Sequence, residues 1–464
     1  MYYAYITRLK DVRKHPNADR LQLGTCFGNT VVVSLDYTDN QLGIYFPSDG
    51  QLSVEFAEAN NLLRKKDENG NNIGGYMDPD KRNVTAIKLR GEKSDGLFLP
   101  LTCLETFGDI STLAEGDRID NFNGVEICKK YIPRKQNKTG GYSSGNKTRK
   151  TAVPIAPLFR EHADTEQLAY NHGAFSEGDY VEITLKMHGT SQRTAYLPRL
   201  TGYKKSFWDI LFRREGKPTY EWDYVCGTRR VVLDNFDGGF YGSNAFREDH
   251  FNSIVNKLWK GETIYYEVVG FTSDQNPIMG RCDNTKTNDK EFINQYGSTT
   301  TFSYGCEPSG YRREYVNGTS EQIRTKVPVS DMYAYRMTIT NEDGDVVEYP
   351  PDFVRYRCDQ MGIKTVPVLW RGIIPNLPID TEEGRSINTP GEFIQYIAEQ
   401  YYDGPDPIGK THIREGVVAR IVNRPKFCAY KHKNWYFKCL EGIVKAEADA
   451  PDMEEAQDET VETE

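Results

Sequence analysis

No stretch of this sequence approaches the roughly 18 consecutive apolar residues of a membrane-spanning helix. The opening residues MYYAYITRLKD also lack the basic-then-apolar order of a secretory leader. The expectation is an intracellular, cytoplasmic protein with no membrane partner. The nine cysteines include no C-x-x-C pair, so neither a zinc module nor a disulfide framework finds its spacing, and a reducing compartment suits them. Acid is missing from Lys129 to Lys150, which holds eight bases, and base is missing from Ala446 to Glu464, which holds nine acids. The net charge of −9 is therefore carried by the tail, and the rest of the chain sums to zero. With charge segregated in this way, an acidic pI of 5.5 is no argument against a polyanionic partner.

What is present suffices for a folded protein. At roughly 100 to 200 residues per domain, 464 residues suggest two or three domains. Residues 1–125 hold short apolar or alternating runs, TVVVSL, QLGIYFP, NVTAIKL and DGLFLPL, separated by Gly, Asn and Asp turns. This spacing predicts a β-rich unit, for which a five-stranded OB-type barrel is one fit. Residues 126–160 read as a basic flexible linker, too poor in apolar groups to offset chain entropy, and residues 446–464 as a disordered acidic tail. Between them, residues 161–445 mix strands (YVEITLKM, TIYYEVVG, MYAYRMTI, GVVARIV) with helix candidates (FNSIVNKLWKG, EFIQYIAEQYY). The fold class is α+β on antiparallel sheets.

Two segments of the first unit, His15-Pro16-Asn17-Ala18-Asp19-Arg20-Leu21 and Lys88 to Leu97, resemble the OB module of tRNA-binding proteins and of phenylalanyl-tRNA synthetase. A turn within the barrel is a more frequent use of such short motifs than direct contact with nucleic acid.

The chemistry concentrates further on. In Tyr180 to Met187 the two-residue period puts Val181, Ile183 and Leu185 on one face and Lys186 on the other, followed by His188-Gly189-Thr190-Ser191. A lysine beside a glycine turn can present an amine to a bound phosphate, because glycine admits close backbone approach. By itself K-x-x-G carries little weight. It is followed in order by Arg193, Gly227-Thr228-Arg229-Arg230, Tyr265-Tyr266-Glu267-Val268-Val269-Gly270, Tyr333-Ala334-Tyr335-Arg336, Glu415-Gly416-Val417-Val418-Ala419-Arg420 and Lys431-His432-Lys433. This ordered set resembles motifs I, III, IIIa, IV and V of the covalent nucleotidyltransferases, the ligase and capping superfamily. Within it the chain looks most like the ATP-dependent RNA ligases with an N-terminal OB-type module, a likeness extended by Phe159-Arg160-Glu161-His162 and the K-x-H-G-T-S form of motif I. That branch accepts His at position 188, where most ligases have Asp. Leu185 departs from the Glu common before the nucleophile.

The resemblance implies ATP and Mg²⁺ or Mn²⁺ as cofactors, and an RNA or RNA-containing nicked duplex as the partner of a monomer. Lys186 would attack the α-phosphorus of ATP to give a lysyl-AMP phosphoramidate. The AMP then passes to a 5′-phosphate, and a 3′-hydroxyl displaces it. A free lysine has a pKa of ~10.4, so something near Lys186 has to disfavour its proton; a metal ion, Lys431 and Lys433 are the candidates. The same resemblance gives Glu267 the ribose hydroxyls, Glu415 the metal, and Lys431 and Lys433 the α-phosphate. It gives Arg193 and Arg230 phosphate contacts, and Tyr335, or else Tyr304, the adenine face. His188 and Gly189 would shape the backbone around the nucleotide, and His162 stays outside the chemistry. A DNA ligase or capping enzyme would continue into a further OB domain, for which the 31 residues after Lys433 leave no room. The alternatives are a non-catalytic nucleic-acid-binding protein with a ligase-like domain and, as a minor case, a related DNA ligase or guanylyltransferase.

Overall fold

The computed structural model describes residues 2–66, 68–70, 72–132, 155–212, 216–233, 235–238, 241–315, 322–382 and 384–447. Most of the basic segment (133–154) and nearly all of the acidic tail (448–464) lie outside the described residues. The chain forms two compact units, and both mix antiparallel sheets with helices.

The first unit draws on residues within 1–135, 282–300 and 434–452. Its four-stranded sheet runs in the order Leu97–Pro100, Leu42–Phe46, Ala4–Arg8, Arg118–Ile119. A three-stranded sheet adds Lys10–Lys14, Leu21–Cys26 and Asn29–Ser34. Ile6, Ile44, Phe46, Phe56 and Leu104 fill the core. The two segments singled out in the sequence meet here. His15 is fully buried, its Nδ1 accepts the Asn17 N–H at 3.0 Å, and its Nε2 lies 3.2 Å from the Leu89 carbonyl. Asn17 Nδ2 reaches the Arg90 carbonyl at 2.9 Å. These contacts give the motif a structural task, that of clamping one turn to another.

Two stretches that the sequence reading placed in the 161–445 domain pack with this first unit instead. Asp289 accepts from Lys88 at 2.5 Å and from Tyr436 at 2.9 Å, and Phe292 stacks on Tyr436 at 4.6 Å. The helix Trp435–Glu447 sends Lys438 to Asp95 at 2.5 Å and the Trp435 indole N–H to the Ser94 carbonyl. Such pairings join residues far apart in sequence, so no local pattern announces them.

Two larger sheets dominate the second unit. One is ordered Glu166–Gln167, β8 (Ala429–Lys433), β7 (Gly416–Ile421), β1 (Tyr180–Lys186), β6 (Val368–Ile373). The other centres on β3 (Lys217–Gly227), β2 (Thr190–Lys204), β4 (Glu262–Gly270) and β5 (Ser330–Thr340). Residues 187–189 carry the chain from β1 of the first sheet to β2 of the second. Inward residues Val181, Ile183, Val417, Ala419 and Ile421 meet helix α3 (Pro390–Tyr401) through Ile394 and Ala398. A capping box starts α3, with Thr389 and Glu392 each accepting from the other's end of the turn. Helix α2 (Pro351–Met361) covers β4 and β5 through Val354 and Cys358. The helix expected over FNSIVNKLWKG lies earlier, at Ala245–Ile254, and stops where Val255 leaves the helical region and Asn256 turns left-handed at φ 66°. The β2–β3 hairpin bears a short helix, α1 (Phe207–Leu211), at its far end. Among the described residues, no helix is long and apolar enough to cross a membrane.

Candidate active site

Strand register brings the sequence-predicted residues together. Lys186, at the end of β1, pairs with Gly416, which pairs with Lys433 at the end of β8. The three strand ends therefore form one row, with Glu415 one residue ahead of it. Lys186 Nζ lies 2.7 Å from Glu415 Oε1 and Lys433 Nζ 3.8 Å from the same oxygen. His188 Nδ1 stands 3.7 Å from Oε2. The Glu415 side chain is only 2% exposed, and its Oε2 has no hydrogen-bond partner. Gly416 is needed for this approach: its φ is +148°, and a Cβ there would sit 2.1 Å from the His432 carbonyl oxygen.

The turn after Lys186 is fixed from behind. The His188 N–H donates to the Tyr304 hydroxyl at 2.7 Å, and the Gly189 N–H donates to Glu267 Oε1 at 3.1 Å. A Cβ on Gly189 would fall 2.4 Å from the Val268 carbonyl and 2.9 Å from Glu267 Cγ. Tyr304 is buried; burial, then the nearby Glu415 carboxylate, pushes its phenol well above the usual range, so it remains a neutral hydroxyl. Its own N–H donates to His412 Nε2 at 3.3 Å, while His412 Nδ1 meets the Ile413 carbonyl at 2.9 Å. Tyr304 is thus a backbone prop for the turn, not the adenine platform considered as the second choice from sequence.

Lys186, Glu267 and Lys431 line one cleft, together with Tyr335, Arg229 and His162. Its lining mixes apolar side chains with a few convergent charged and polar groups, the make-up of a small-molecule site. Tyr335 enters it because of a bulge. Tyr266 pairs with Ala334 and Tyr265 with Arg336, leaving Tyr335 as the extra residue, and a bulge re-aims the side chain at that point. Its hydroxyl lies 3.2 Å from Ser191 Oγ.

No family model matches the sequence, and no curated protein matches it. Solved structures do. A variant of the Naegleria gruberi RNA ligase with AMP and manganese aligns with a TM-score of 0.51 at 16% identity, covering 94% of this chain and 97% of that one. A variant of the same ligase with ATP and manganese gives 0.51 at 16%, covering 94% and 98%. The ligase with pyrophosphate gives 0.50 at 15%, covering 96% and 99%. This chain has the RNA-ligase fold.

Within that fold, Arg193 and Arg230, proposed from sequence for phosphate contacts, are not among the residues that line the cleft. Arg193 is buried, and its guanidinium donates to the carbonyls of Thr228, Phe159 and Arg230 at 3.0, 3.3 and 3.4 Å while stacking 4.2 Å from the Phe159 ring. It fastens the loop after β3. Arg230 is half exposed and faces Asp164 at 3.8 Å. The neighbouring Arg229 is the arginine that reaches the cleft. The sequence names the pair, but pairing along β3 ends at Gly227, so period-2 reasoning cannot choose between them.

His162, set aside from sequence, lines the cleft. Its Nδ1 accepts from Arg336 Nη1 at 3.2 Å, which leaves the ring proton on Nε2. Burial, then the Arg336 guanidinium, holds this imidazole well below its ordinary 6.5. Burial also lowers His172, His250 and His412 in the same unit. The unfolded chain takes up these protons near pH 6.5 and the folded chain resists them. Stability present above that pH is therefore lost as pH falls below it, by at most about 1.4 kcal/mol per imidazole per pH unit. The urea midpoint of unfolding is expected to drop between about pH 7 and pH 5.5, before the carboxylates titrate; a flat midpoint over that window refutes the linkage.

The donor set also fits a hard divalent cation. Glu415 Oε2 is buried without a hydrogen-bond partner, and among the described residues no cluster of three or more His, Cys, Asp or Glu side chains could hold a metal by itself. One carboxylate completed by substrate phosphates and water is the usual arrangement for Mg²⁺.

Proposed function

We propose that this protein is an ATP-dependent RNA ligase that joins 3′-hydroxyl and 5′-phosphate ends, at nicks in duplexes, through a lysyl-AMP intermediate. The observation that carries the reading is the row of Lys186, Glu415 and Lys433 at three adjacent strand ends, on the border of a cleft lined by Glu267, Tyr335 and Lys431.

The residues divide the work as follows. Leu185, Ala334, Val366 and Val418 give the cleft an apolar slot for the base, against which Tyr335 offers a ring face. Glu267, steadied by the Gly189 N–H, takes the ribose hydroxyls. Lys431 and Lys433 stand two residues apart on one face of β8 and neutralise charge growing on the α-phosphate; Arg229 adds a forked donor at the other wall. Glu415 would hold the Mg²⁺ or Mn²⁺ ion, which when bound supplies further charge neutralisation at the phosphates. The Lys186 amine, once it has given up its ammonium proton, attacks the α-phosphorus. A P–N bond forms, the P–O bond to pyrophosphate breaks, and the amine sheds a second proton. An oxygen of the RNA 5′-phosphate then takes the adenylate and returns Lys186 to its free state. A 3′-hydroxyl displaces AMP to form the phosphodiester.

The sheets around His15 and Leu89, read as an OB-type module, would hold nucleic acid, the basic stretch between the units would track its phosphates, and the enzyme would act as an intracellular monomer. The test is mass spectrometry of the full chain after incubation with ATP and Mg²⁺. A gain of ~329 Da is expected on the peptide containing Lys186, discharged by nicked RNA duplex; no adduct, or one located on another residue, overturns the proposal.

A further inference from the structure

The β2–β3 hairpin carries apolar surface that the cleft does not use. From Ser191 in the cleft, β2 continues to Lys204, about 40 Å of strand at ~3.3 Å per residue. At its end Ser206 and Asp209 cap α1 reciprocally: Ser206 N–H donates to Asp209 Oδ2 at 2.9 Å, and Asp209 N–H donates to Ser206 Oγ at 3.2 Å. The turn continues to Phe212, whose N–H meets the Trp208 carbonyl at 2.9 Å. Phe207, Trp208, Leu211 and Phe212 are 73, 62, 58 and 59% exposed. Their spacing, two i, i+4 pairs side by side, puts all four on one helix face.

One level below this face stand cations. Lys204 pairs with Lys217 across the hairpin, so the two sit at the same height, and Lys205 follows; all three are exposed. An apolar end above a basic collar has the layering of a bilayer surface, with acyl chains beneath anionic phosphates.

We propose that this tip seats on an anionic bilayer surface, its four apolar side chains at the headgroup–acyl boundary and its lysine collar against lipid phosphates. Two observations favour lipid over other occupants. Leu211 has no ring face for a base, and Trp208 and Phe212 turn one face to each other, with centroids 6.0 Å apart and planes at 13°, which leaves fewer open faces than a single-stranded nucleic acid stacks on. A five-residue helix is also too short to present the i to i+7 anchors of a helix lying in a protein groove. The expectation of no membrane partner rested on the lack of a spanning run, and surface seating requires none.

The experiment is co-sedimentation of the full chain with phosphatidylcholine vesicles containing about 30% phosphatidylserine, beside pure phosphatidylcholine vesicles, at low ionic strength. Binding to the anionic vesicles is expected to exceed binding to the neutral ones by about tenfold or more. Trp208→Ser with Phe212→Ser, and separately Lys204→Glu with Lys217→Glu, are each expected to lower it by about tenfold or more without changing the thermal melt. Equal binding to both vesicle types, no binding, or tip variants that bind like the unmodified chain overturn the proposal. So does loss of single-stranded RNA affinity in the serine variant while vesicles go unbound, which would make the tip a nucleic-acid surface.

Discussion

Lys186→Ala is expected to abolish adenylylation of the chain, by about 10⁴-fold or more, the scale of removing a covalent nucleophile. The argument rests on position. Lys186 is the last residue of β1, its side chain is 18% exposed at the edge of the cleft, and Lys431 and Lys433 belong to β8, on the far side of β7. Neither can move into its place without breaking β8 from β7. The backbone around position 186 is secured by pairing to Gly416 and by the Tyr304 and Glu267 contacts to the following turn, so the substitution leaves the fold intact. Sealing of a strand that already carries AMP on its 5′-phosphate is expected to fall far less, because the final displacement does not pass through the amine. Labelling with α-labelled ATP reads the first effect, and a pre-adenylylated nick reads the second. An alanine variant that still takes up label removes Lys186 from the mechanism.

Glu415→Gln is the second large effect, expected to slow adenylylation by about 10² to 10³-fold, the loss typical of removing one preorganised electrostatic group. The amide keeps the shape of the carboxylate. It loses the charge that pairs with Lys186 at 2.7 Å and draws Lys433 to 3.8 Å. It also turns Oε2, or the nitrogen that replaces it, into a poor ligand for a hard cation. With Glu415 only 2% exposed, water cannot restore what the amide lacks, and two lysines are left facing each other across a buried neutral group. Single-turnover rates at saturating ATP over a range of Mg²⁺ or Mn²⁺ concentrations check the outcome. A variant within about threefold of the parent rate would assign Glu415 a packing role.

Much of the site was legible because it is written in strand periods and strand ends. Lys186, Glu415, Lys431 and Lys433 lie on or beside strands whose alternation shows in the sequence, and their motif order places them on adjacent strands. Gly189 and Gly416 carry a readable signal too, since each stands where a backbone comes too close for a Cβ. Tyr335 was found as a residue, but the bulge that turns it into the cleft was not, because one unpaired residue leaves no mark in composition. Arg193, Arg229 and Arg230 show the limit. Three arginines near one motif differ in task only through the loop that Arg193 itself pins down. His162 was missed for a related reason: its place depends on Arg336, far along the chain, and no local pattern links the two.

The path of the chain through the first unit bears on how the protein is made. Domains emerging from the ribosome commonly settle in order from the N-terminus. Here the hairpin Ala86–Leu89 and Glu92–Asp95 takes partners from Trp435, Lys438 and Cys439, and Lys88 takes Asp289. The helix that closes this unit is made after every strand of the second unit, so its docking follows the synthesis of Lys186, Lys431 and Lys433.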